Sequence, residues 1–156
     1  MRTLEIMQHA YKLTLEWTGT DHYRSYKRDH TIRIAGKPDL LGSSDPTFRG
    51  DPSRHNPEDL LLSALSACHM MSYLHVCVMN GIVVTAYTDN ATGSMETADD
   101  GSGHFTQVVL HPEVVVSDAN MIDKANELHH KAHELCFIAN SVNFPVRCEA
   151  TCRAAI

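Results

Sequence analysis

The fold is decided by residues 56–73, which read NPEDLLLSALSACHMMSY. Asn56 is a favourable N-cap, Pro57 suits the first helical position, and two acidic residues follow in the first turn, where they interact favourably with the helix dipole. The residues after them are small or apolar on nearly every face of a helix. This pattern predicts a long, buried central helix that runs to about Asn80 and carries Cys68 in its third turn.

The rest of the chain reads mostly as strands. A turn is predicted at residues 19–21 and a hairpin turn at residues 97–103, and a second helix should begin at Ser117 or Asp118 and end near Cys136. The predicted strands are 9–18 (half-buried), 23–34, a short one within the loop 36–55, 82–87 with its continuation to 95, 104–116 and 142–150. Few helices and mostly hairpin-linked strands predict an α+β fold in a single domain, residues 1–156.

Composition narrows the classes of function. The net charge of −6 gives no indication of a nucleic-acid or membrane partner. No apolar run approaches the roughly 18 residues of a membrane span, and the start of the chain is too short and too acidic for a signal peptide. Five cysteines are an odd number in a chain long enough to build a core, which favours reduced thiols in the cytoplasm over a disulfide framework.

Two cysteines stand out because each is predicted to lie on one of the two helices. A lone cysteine in a buried helix, such as Cys68, is more often a packing residue than a reactive one. Cys136 lies at the end of the second helix, among polar and charged neighbours. Two helices that each carry one such cysteine suggest a dithiol pair.

These motifs resemble the OsmC/Ohr family (osmotically inducible protein C-like, organic hydroperoxide resistance). The resemblance rests on an Asn-Pro-Glu start, a small-residue helix with Cys68 ten positions after Glu58, and Cys136 followed by an Asn/Ser turn and a last strand. It extends from about Tyr11 to the C-terminus. The family often has proline after the second cysteine, where this chain has Phe137.

The resemblance implies a thiol-dependent peroxidase that uses no cofactor and no metal. It implies that Cys68 attacks a hydroperoxide, that an arginine activates Cys68, that Glu58 orients this arginine, and that Cys136 resolves the oxidised Cys68. Arg24 is the nearest match for the arginine, and Arg28 is the next. The family fold further implies antiparallel sheets around the central helix and an interlocked homodimer. The reductant would be an external dithiol, often one carried by a lipoylated protein.

Elementary chemistry agrees with these roles. The thiolate is the nucleophile, and burial among alanines would leave Cys68 protonated unless a positive charge lay near it. Glu58 precedes Cys68 by nearly three helical turns, about 15 Å along the axis, so it cannot contact the sulfur directly. Glu58 can act only through another side chain, such as the activating arginine.

Two other classes of function remain open. His129, His133 and Cys136 lie at positions i, i+4 and i+7 of the second helix, an acceptable arrangement of metal ligands to which His69 and Cys68 could add. The chain could also be a small-ligand-binding protein whose thiols are incidental, in which case Cys68→Ser would leave its function intact.

Overall fold

A computed structural model describes residues 6–19 and 24–156 of the chain. The chain divides into two compact units, Met1–Leu60 and Leu61–Ile156. Part of the predicted turn at 19–21 and the start of the predicted strand at 23–34 lie outside the described residues. The single domain over 1–156 stays a prediction.

The first unit contains a three-stranded antiparallel sheet in the order β1-β2-β3. Its strands are β1 (Thr14–Glu16), β2 (His30–Arg33) and β3 (Leu40–Gly42). All three were predicted, but the first two are shorter than expected. The predicted burial of the first strand is wrong, because Leu15 and Trp17 are 61% and 52% exposed. None of the described apolar side chains of this unit belongs to a buried core, so the small sheet leaves them uncovered.

The loop before the central helix contains a short 3-10 turn at Pro46–Phe48, which Asp45 caps by accepting a hydrogen bond from the Thr47 amide at 2.7 Å. Arg49 follows with a positive φ of 66°. Such local side-chain hydrogen bonds order the loop without a regular element.

The central helix, α1, spans Pro57–Met79, as predicted to within one residue. Asn56 accepts a hydrogen bond from the Asp59 amide at 2.8 Å, which confirms it as the N-cap. Gly81, with a φ of 70°, follows the helix in a conformation that favours glycine.

The prediction that α1 is buried on all sides is wrong for the part of the chain that the structure describes. The buried residues, Leu65, His69, Tyr73, Val76 and Cys77, follow one face of the helix. The opposite face is exposed, because the second unit covers one side only. An 18-residue window of α1 has a mean hydropathy of 1.4 and is 28% buried. By length and composition the helix could therefore cross a membrane, whereas the sequence analysis expected no apolar run of that length. A core helix of a soluble protein passes the same test, so this is weak evidence.

The second unit contains two three-stranded sheets, in the orders β4-β7-β9 and β5-β6-β8. Their strands are β4 (Val84–Asp89), β5 (Thr92–Thr97), β6 (Gly103–Leu110), β7 (Pro112–Val116), β8 (Val146–Cys148) and β9 (Thr151–Ala154). The β4–β7 and β5–β6 pairs are antiparallel, whereas β8 and β9 run parallel to their neighbours. The sheets are therefore mixed rather than antiparallel, because a helical crossover precedes β8 and returns the chain in the same direction.

Two predicted strands are each interrupted, and the two interruptions are joined by Asp89. The segments 82–95 and 104–116 each form two strands instead of one, whereas 142–150 contains only β8, and β9 lies beyond its predicted end. Asp89 ends β4, and its carboxylate accepts hydrogen bonds from the His111 amide at 2.7 Å and the Ser66 hydroxyl at 2.6 Å. Pro112 has no amide hydrogen to donate. The Asp89 side chain thus replaces ladder hydrogen bonds where the strands change sheet.

The second helix, α2, spans Ile122–Leu135. It follows a 3-10 turn at Ala119–Met121, which Asp118 caps by accepting from the Asn120 amide at 2.8 Å. Asp118 is a cap, as predicted, but of the 3-10 turn; the prediction that it caps the second helix itself is wrong, because α2 begins four residues later, at Ile122, with Met121 as its N-cap. Cys136 is the first residue after α2, with an extended ψ of 105°.

The core of the second unit consists of two clusters. The larger contains Tyr73, Val76, Cys77, Ile82, Val114, Val116, Ala125, Leu128 and Ala132. The smaller contains Leu65, Val108 and Leu110. Side chains of α1 contribute to both clusters, so the helix anchors the unit.

Tyr73→Phe should lower the free energy of unfolding by about 1 kcal/mol, the typical net contribution of one buried hydrogen bond. The Tyr73 side chain is 0% exposed, and its hydroxyl donates to the Ala125 carbonyl at 3.0 Å. Urea denaturation monitored by circular dichroism measures the change. Tyr11→Phe is the control, since Tyr11 is 92% exposed. Equal stability of the two variants would contradict the structural importance of the Tyr73 hydroxyl.

Candidate functional site

The structure brings together the two cysteines that the sequence singled out. Cys68 lies on α1 and is half-buried, whereas Cys136 follows α2 and is 1% exposed. The two thiols are neighbours, since the Cys68 side chain is one of the groups that raise the pKa of Cys136. All five cysteines are free thiols. A half-buried thiol beside a buried one is an arrangement in which only the first is open to a reagent.

The environment of Cys136 keeps its thiol protonated. The pKa of Cys136 is raised from 9.0 to about 11, mainly by burial. The neighbouring Cys68 thiol contributes to this rise. The backbone amides of Ala139 and Ile138 donate toward the sulfur and oppose the rise. At neutral pH the nucleophilic thiolate form of Cys136 is therefore rare.

An apolar cavity is lined by residues that lie near the two cysteines in sequence, although by neither cysteine itself. It has a volume of about 430 Å³ and is lined by Met71, Ser72, His75, Leu135 and Phe137. The first two lining residues are three and four positions after Cys68, on the same face of α1, and the last two flank Cys136. Phe137 is 79% exposed and forms part of the rim.

The other predicted site residues lie in the first unit. One carboxylate oxygen of Glu58, Oε2, is buried and has no hydrogen-bond partner among the described residues. Arg24 is exposed in a turn, and the Arg28 guanidinium lies over the Tyr26 ring, 4.5 Å from its centroid. Because Cys68 belongs to the second unit, the assignment of an arginine to it stays a prediction.

One half-buried arginine was not singled out by the sequence. Arg54 lies 3.7 Å from Asp29 and 3.9 Å from Asp51, and its guanidinium also donates to the His30 carbonyl at 3.4 Å. It is more buried than Arg24 and directly precedes the start of α1. Its place two residues before Asn56 is the signal that could have identified it.

A polar cluster in the second unit contains His69, His129 and Cys148. His69 Nε2 is 3.0 Å from His129 Nδ1 and 3.7 Å from Cys148 Sγ. The predicted metal triad placed His129 with His133 and Cys136 instead. Among the described residues, the ligand atoms that converge are those of His69, His129 and Cys148. His133 and Cys136 do not belong to this group.

Burial controls the ionisation of this cluster. Desolvation lowers the pKa of both His69 and His129 to about 4, so both rings are neutral at physiological pH. Desolvation raises the pKa of Cys148 to about 11, and the nearby Asp89 adds to the rise. The three side chains therefore form a neutral group inside the protein.

The two remaining cysteines have structural surroundings. Cys77 and Cys152 contact the larger core cluster, and burial raises the pKa of both thiols. Neither belongs to the Cys68–Cys136 contact or to the histidine cluster.

Comparison with known proteins identifies relatives of the whole chain. A family model described as OsmC-like protein matches residues 50–151. An OsmC-like protein of unknown function from Vibrio cholerae is 33% identical, with a TM-score of 0.82 over 92% of this chain and 99% of that chain. No match is found among curated proteins.

Two solved structures with lower identity share the fold. An organic hydroperoxide resistance protein from Legionella pneumophila is 20% identical, with a TM-score of 0.68 over 93% of this chain and 98% of that chain. One from Elizabethkingia anophelis is 20% identical, with a TM-score of 0.68 over 96% and 100%. The family model alone covers well over half of the chain. The chain therefore belongs to the OsmC/Ohr family and has its α+β fold.

Proposed function

We propose that this protein is a thiol-dependent peroxidase that reduces organic hydroperoxides at Cys68 and resolves the oxidised sulfur with Cys136. The observation that carries the proposal is that these two thiols, one half-buried and one buried, are neighbours, so that Cys68 raises the pKa of Cys136. The two cysteines are far apart in sequence, and the packing of α1 and the end of α2 in the second unit brings them together. Two relatives of the same fold are described as organic hydroperoxide resistance proteins.

The proposed reaction has three steps. The Cys68 thiol loses its proton to solvent, and its thiolate attacks the terminal peroxide oxygen. The O–O bond breaks, Cys68 becomes a sulfenic acid, and the alkoxide takes a proton from solvent and leaves as the alcohol. The Cys136 sulfur then attacks the Cys68 sulfur, and water is released as the disulfide forms. An external dithiol reduces this disulfide and is itself oxidised; a lipoylated protein is a reductant of this class. No cofactor takes part.

The proposed activation of Cys68 uses an arginine held by Glu58. Arg24 remains the first candidate and Arg28 the second. The buried Glu58 oxygen that lacks a partner among the described residues supports the need for a donor there, since such an oxygen is costly to leave unpaired. A guanidinium suits this role because it stays charged when desolvated and offers several donors.

The apolar cavity whose lining residues lie near Cys68 and Cys136 in sequence favours an organic hydroperoxide as the substrate. Its walls are mostly apolar, with Met71, Leu135 and Phe137 around one hydroxyl and one imidazole. A hydroperoxide with an aryl or alkyl tail would bury that tail there, whereas hydrogen peroxide has no tail to bury.

The proposed assembly is an interlocked homodimer with a site at each interface. Met71 and Val78 on the open face of α1 are 60% and 74% exposed. Large apolar side chains exposed together on one helix face are typical of an interaction site. We assign it to a second copy of the chain, with no membrane or nucleic-acid partner, in a reducing cytoplasm that keeps the thiols free.

The reduced protein should consume cumene hydroperoxide with a kcat/KM about 10- to 100-fold higher than for hydrogen peroxide, because burial of an aryl group contributes about 1.5–3 kcal/mol. Peroxide consumption with dihydrolipoamide as the reductant measures both rates. Phe137→Ala, which removes part of the apolar rim, should narrow the ratio of the two rates and leave hydrogen peroxide turnover similar. Absence of dithiol-dependent turnover with either peroxide would overturn the proposed function.

A further inference from the structure

The cluster of His69, His129 and Cys148 is not used by the proposed peroxidase reaction. The three side chains come from α1, α2 and β8, and the two histidines are 1% and 6% exposed. Buried histidines of this kind are normally hydrogen-bonded at both ring nitrogens. Here the second nitrogen of each ring, Nδ1 of His69 and Nε2 of His129, is buried without a partner among the described residues.

Counting hydrogens shows that the cluster is unsatisfied in every tautomer. Two neutral imidazoles carry two N–H groups and two lone pairs, and the 3.0 Å contact between His69 Nε2 and His129 Nδ1 uses one of each. One N–H group and one lone pair therefore remain unpaired in the interior, at a cost of about 1–3 kcal/mol for the donor. The Cys148 thiol also points at His69 Nε2, whose single site is already taken by His129. The cluster thus brings Nε2 of His69, Nδ1 of His129 and Sγ of Cys148 together. Their N–H groups and lone pairs cannot all be paired with one another.

Two of the spacings between these atoms are close to those of a tetrahedral metal site. Zn–N bonds of about 2.0–2.1 Å and Zn–S bonds of about 2.3 Å place two nitrogens about 3.3 Å apart and a nitrogen and a sulfur about 3.6 Å apart. The nitrogens here are 3.0 Å apart, the sulfur lies 3.7 Å from His69 Nε2, and all three ligand atoms lie within 4.8 Å of one another. The two rings are nearly coplanar, at 4°. Binding requires them to turn by a small amount so that both lone pairs meet at the ion.

We propose that His69, His129 and Cys148 form a binding site for a thiophilic divalent transition-metal ion of the Zn²⁺ class. Two imidazoles and one thiolate suit zinc better than Mg²⁺ or Ca²⁺, which prefer oxygen ligands. On binding, Cys148 releases its thiol proton. The hydrogen shared by the two rings moves to an outer nitrogen, so that each imidazole keeps one N–H group and gives its inner lone pair to the ion. Three protein ligands leave a fourth position open.

The surroundings hold the ligands in place. The Tyr73 ring stacks on His129 at a centroid distance of 3.9 Å, and the Tyr73 hydroxyl is fixed to the Ala125 carbonyl of α2. The Tyr87 hydroxyl is buried without a partner among the described residues and lies close enough to Cys148 to be affected by its charge. A hydrogen bond from an outer hydroxyl to a metal-bound thiolate tunes a metal site, and Tyr87 is the candidate donor for Cys148.

The proposed entry path is a second cavity. It has a volume of about 480 Å³ and is lined in part by Ser66, Met70, Tyr87 and Asp89. Two of these residues, Ser66 and Met70, lie three positions before and one position after His69. A cation can therefore approach the cluster past the Asp89 carboxylate.

Cobalt titration tests the site directly. Tag-free protein is reduced, stripped of metal with a chelator and titrated under anaerobic conditions. It should bind one Co²⁺ per chain. We expect a sulfur-to-cobalt charge-transfer band that disappears when Zn²⁺ is added. Cys148→Ser should abolish the band, and His129→Gln should weaken Co²⁺ affinity at least about 100-fold, since even outer-shell changes cost 10- to 100-fold.

Control variants separate this site from its rivals. Cys152→Ser, a half-buried thiol on the neighbouring β9, and the double variant Cys68→Ser/Cys136→Ser should keep the band and the stoichiometry. Loss of the band in the double variant with retention in Cys148→Ser would assign the metal to the dithiol and overturn the proposal. Loss in His133→Ala with retention in Cys148→Ser would assign it to the triad on α2 and overturn it as well.

Protection from alkylation gives a readout that does not depend on variants. In the wild-type protein, Zn²⁺ should slow the iodoacetamide modification of Cys148, measured by peptide mass spectrometry, and leave that of Cys152 unchanged. Equal modification of Cys148 with and without Zn²⁺, or a lack of stoichiometric Co²⁺ binding, would overturn the proposal.

Discussion

Cys68→Ser is expected to abolish dithiol-dependent consumption of organic hydroperoxides, with a fall in kcat of at least about a thousand-fold, the scale seen when a catalytic nucleophile is removed. A serine hydroxyl is not ionised at neutral pH and cannot attack the O–O bond. Cys136 cannot take over the attack, because burial raises its pKa to about 11 and it is 1% exposed. The peroxide assay with dihydrolipoamide measures the loss.

Cys152→Ser is the matched control for this variant. It also removes one half-buried thiol, but from β9 and the edge of the core, and it should keep the wild-type rate. Circular dichroism shows whether both variants are folded. Undiminished turnover in folded Cys68→Ser protein would remove Cys68 from the proposed mechanism.

Cys136→Ser is expected to limit the protein to one turnover per chain. Cys68 would be oxidised at its normal rate, but its sulfenic acid would have no thiol in contact with which to form a disulfide. Rapid mixing with one equivalent of cumene hydroperoxide should show a single fast phase, and dimedone should label Cys68. In the wild-type protein the same treatment should yield a Cys68–Cys136 disulfide, detected by peptide mapping.

Cys77→Ser is the control for the resolving role, because Cys77 is another buried thiol and lies on the same helix as Cys68. This variant should retain multiple turnovers. A disulfide that joins Cys68 to any cysteine other than Cys136 would show that the resolving residue is assigned wrongly, without affecting the role of Cys68.

The bounds of α1 were predictable because they depend on local chemistry. The hydrogen bond from the Asp59 amide to Asn56 and the positive φ of Gly81 involve residues within a few positions of each helix end. Residue type and order are sufficient for such features. The exposed face of α1 was not predictable, because a hydrophobic residue does not indicate which other chain segment covers it.

The breaks in the strands depend on contacts between distant residues. His111 gives no local sign that its amide is bound by Asp89, and only Pro112 hints at an interruption. The parallel direction of β8 and β9 likewise follows from the placement of α2, which no strand pattern encodes. Periodicity located the strands but could not assign them to sheets.

The two clusters of the second unit differ in how far the sequence revealed them. Cys68 and Cys136 were found because each was predicted to lie on one of the two helices, and the family resemblance then implied their roles. His129 was noticed, but its expected partners were on its own helix, where spacing can be read directly. Its observed partners are His69 and Cys148, on two other elements. The position of His69 four residues from both Leu65 and Tyr73, on the buried face of α1, was the available signal.

The parallel strands β8 and β9 also determine the order in which the protein can be assembled during synthesis. Each pairs with a strand that leaves the ribosome before α2 does, so neither sheet is complete until the segment after α2 has emerged. Until then, the sheet edges and much of the apolar surface of α1 are uncovered, a state in which nascent chains are prone to aggregate. Cys148 enters only with β8, so the three-residue cluster forms in the last stage of folding. A chain truncated before Val146 would therefore present both histidines without their thiol.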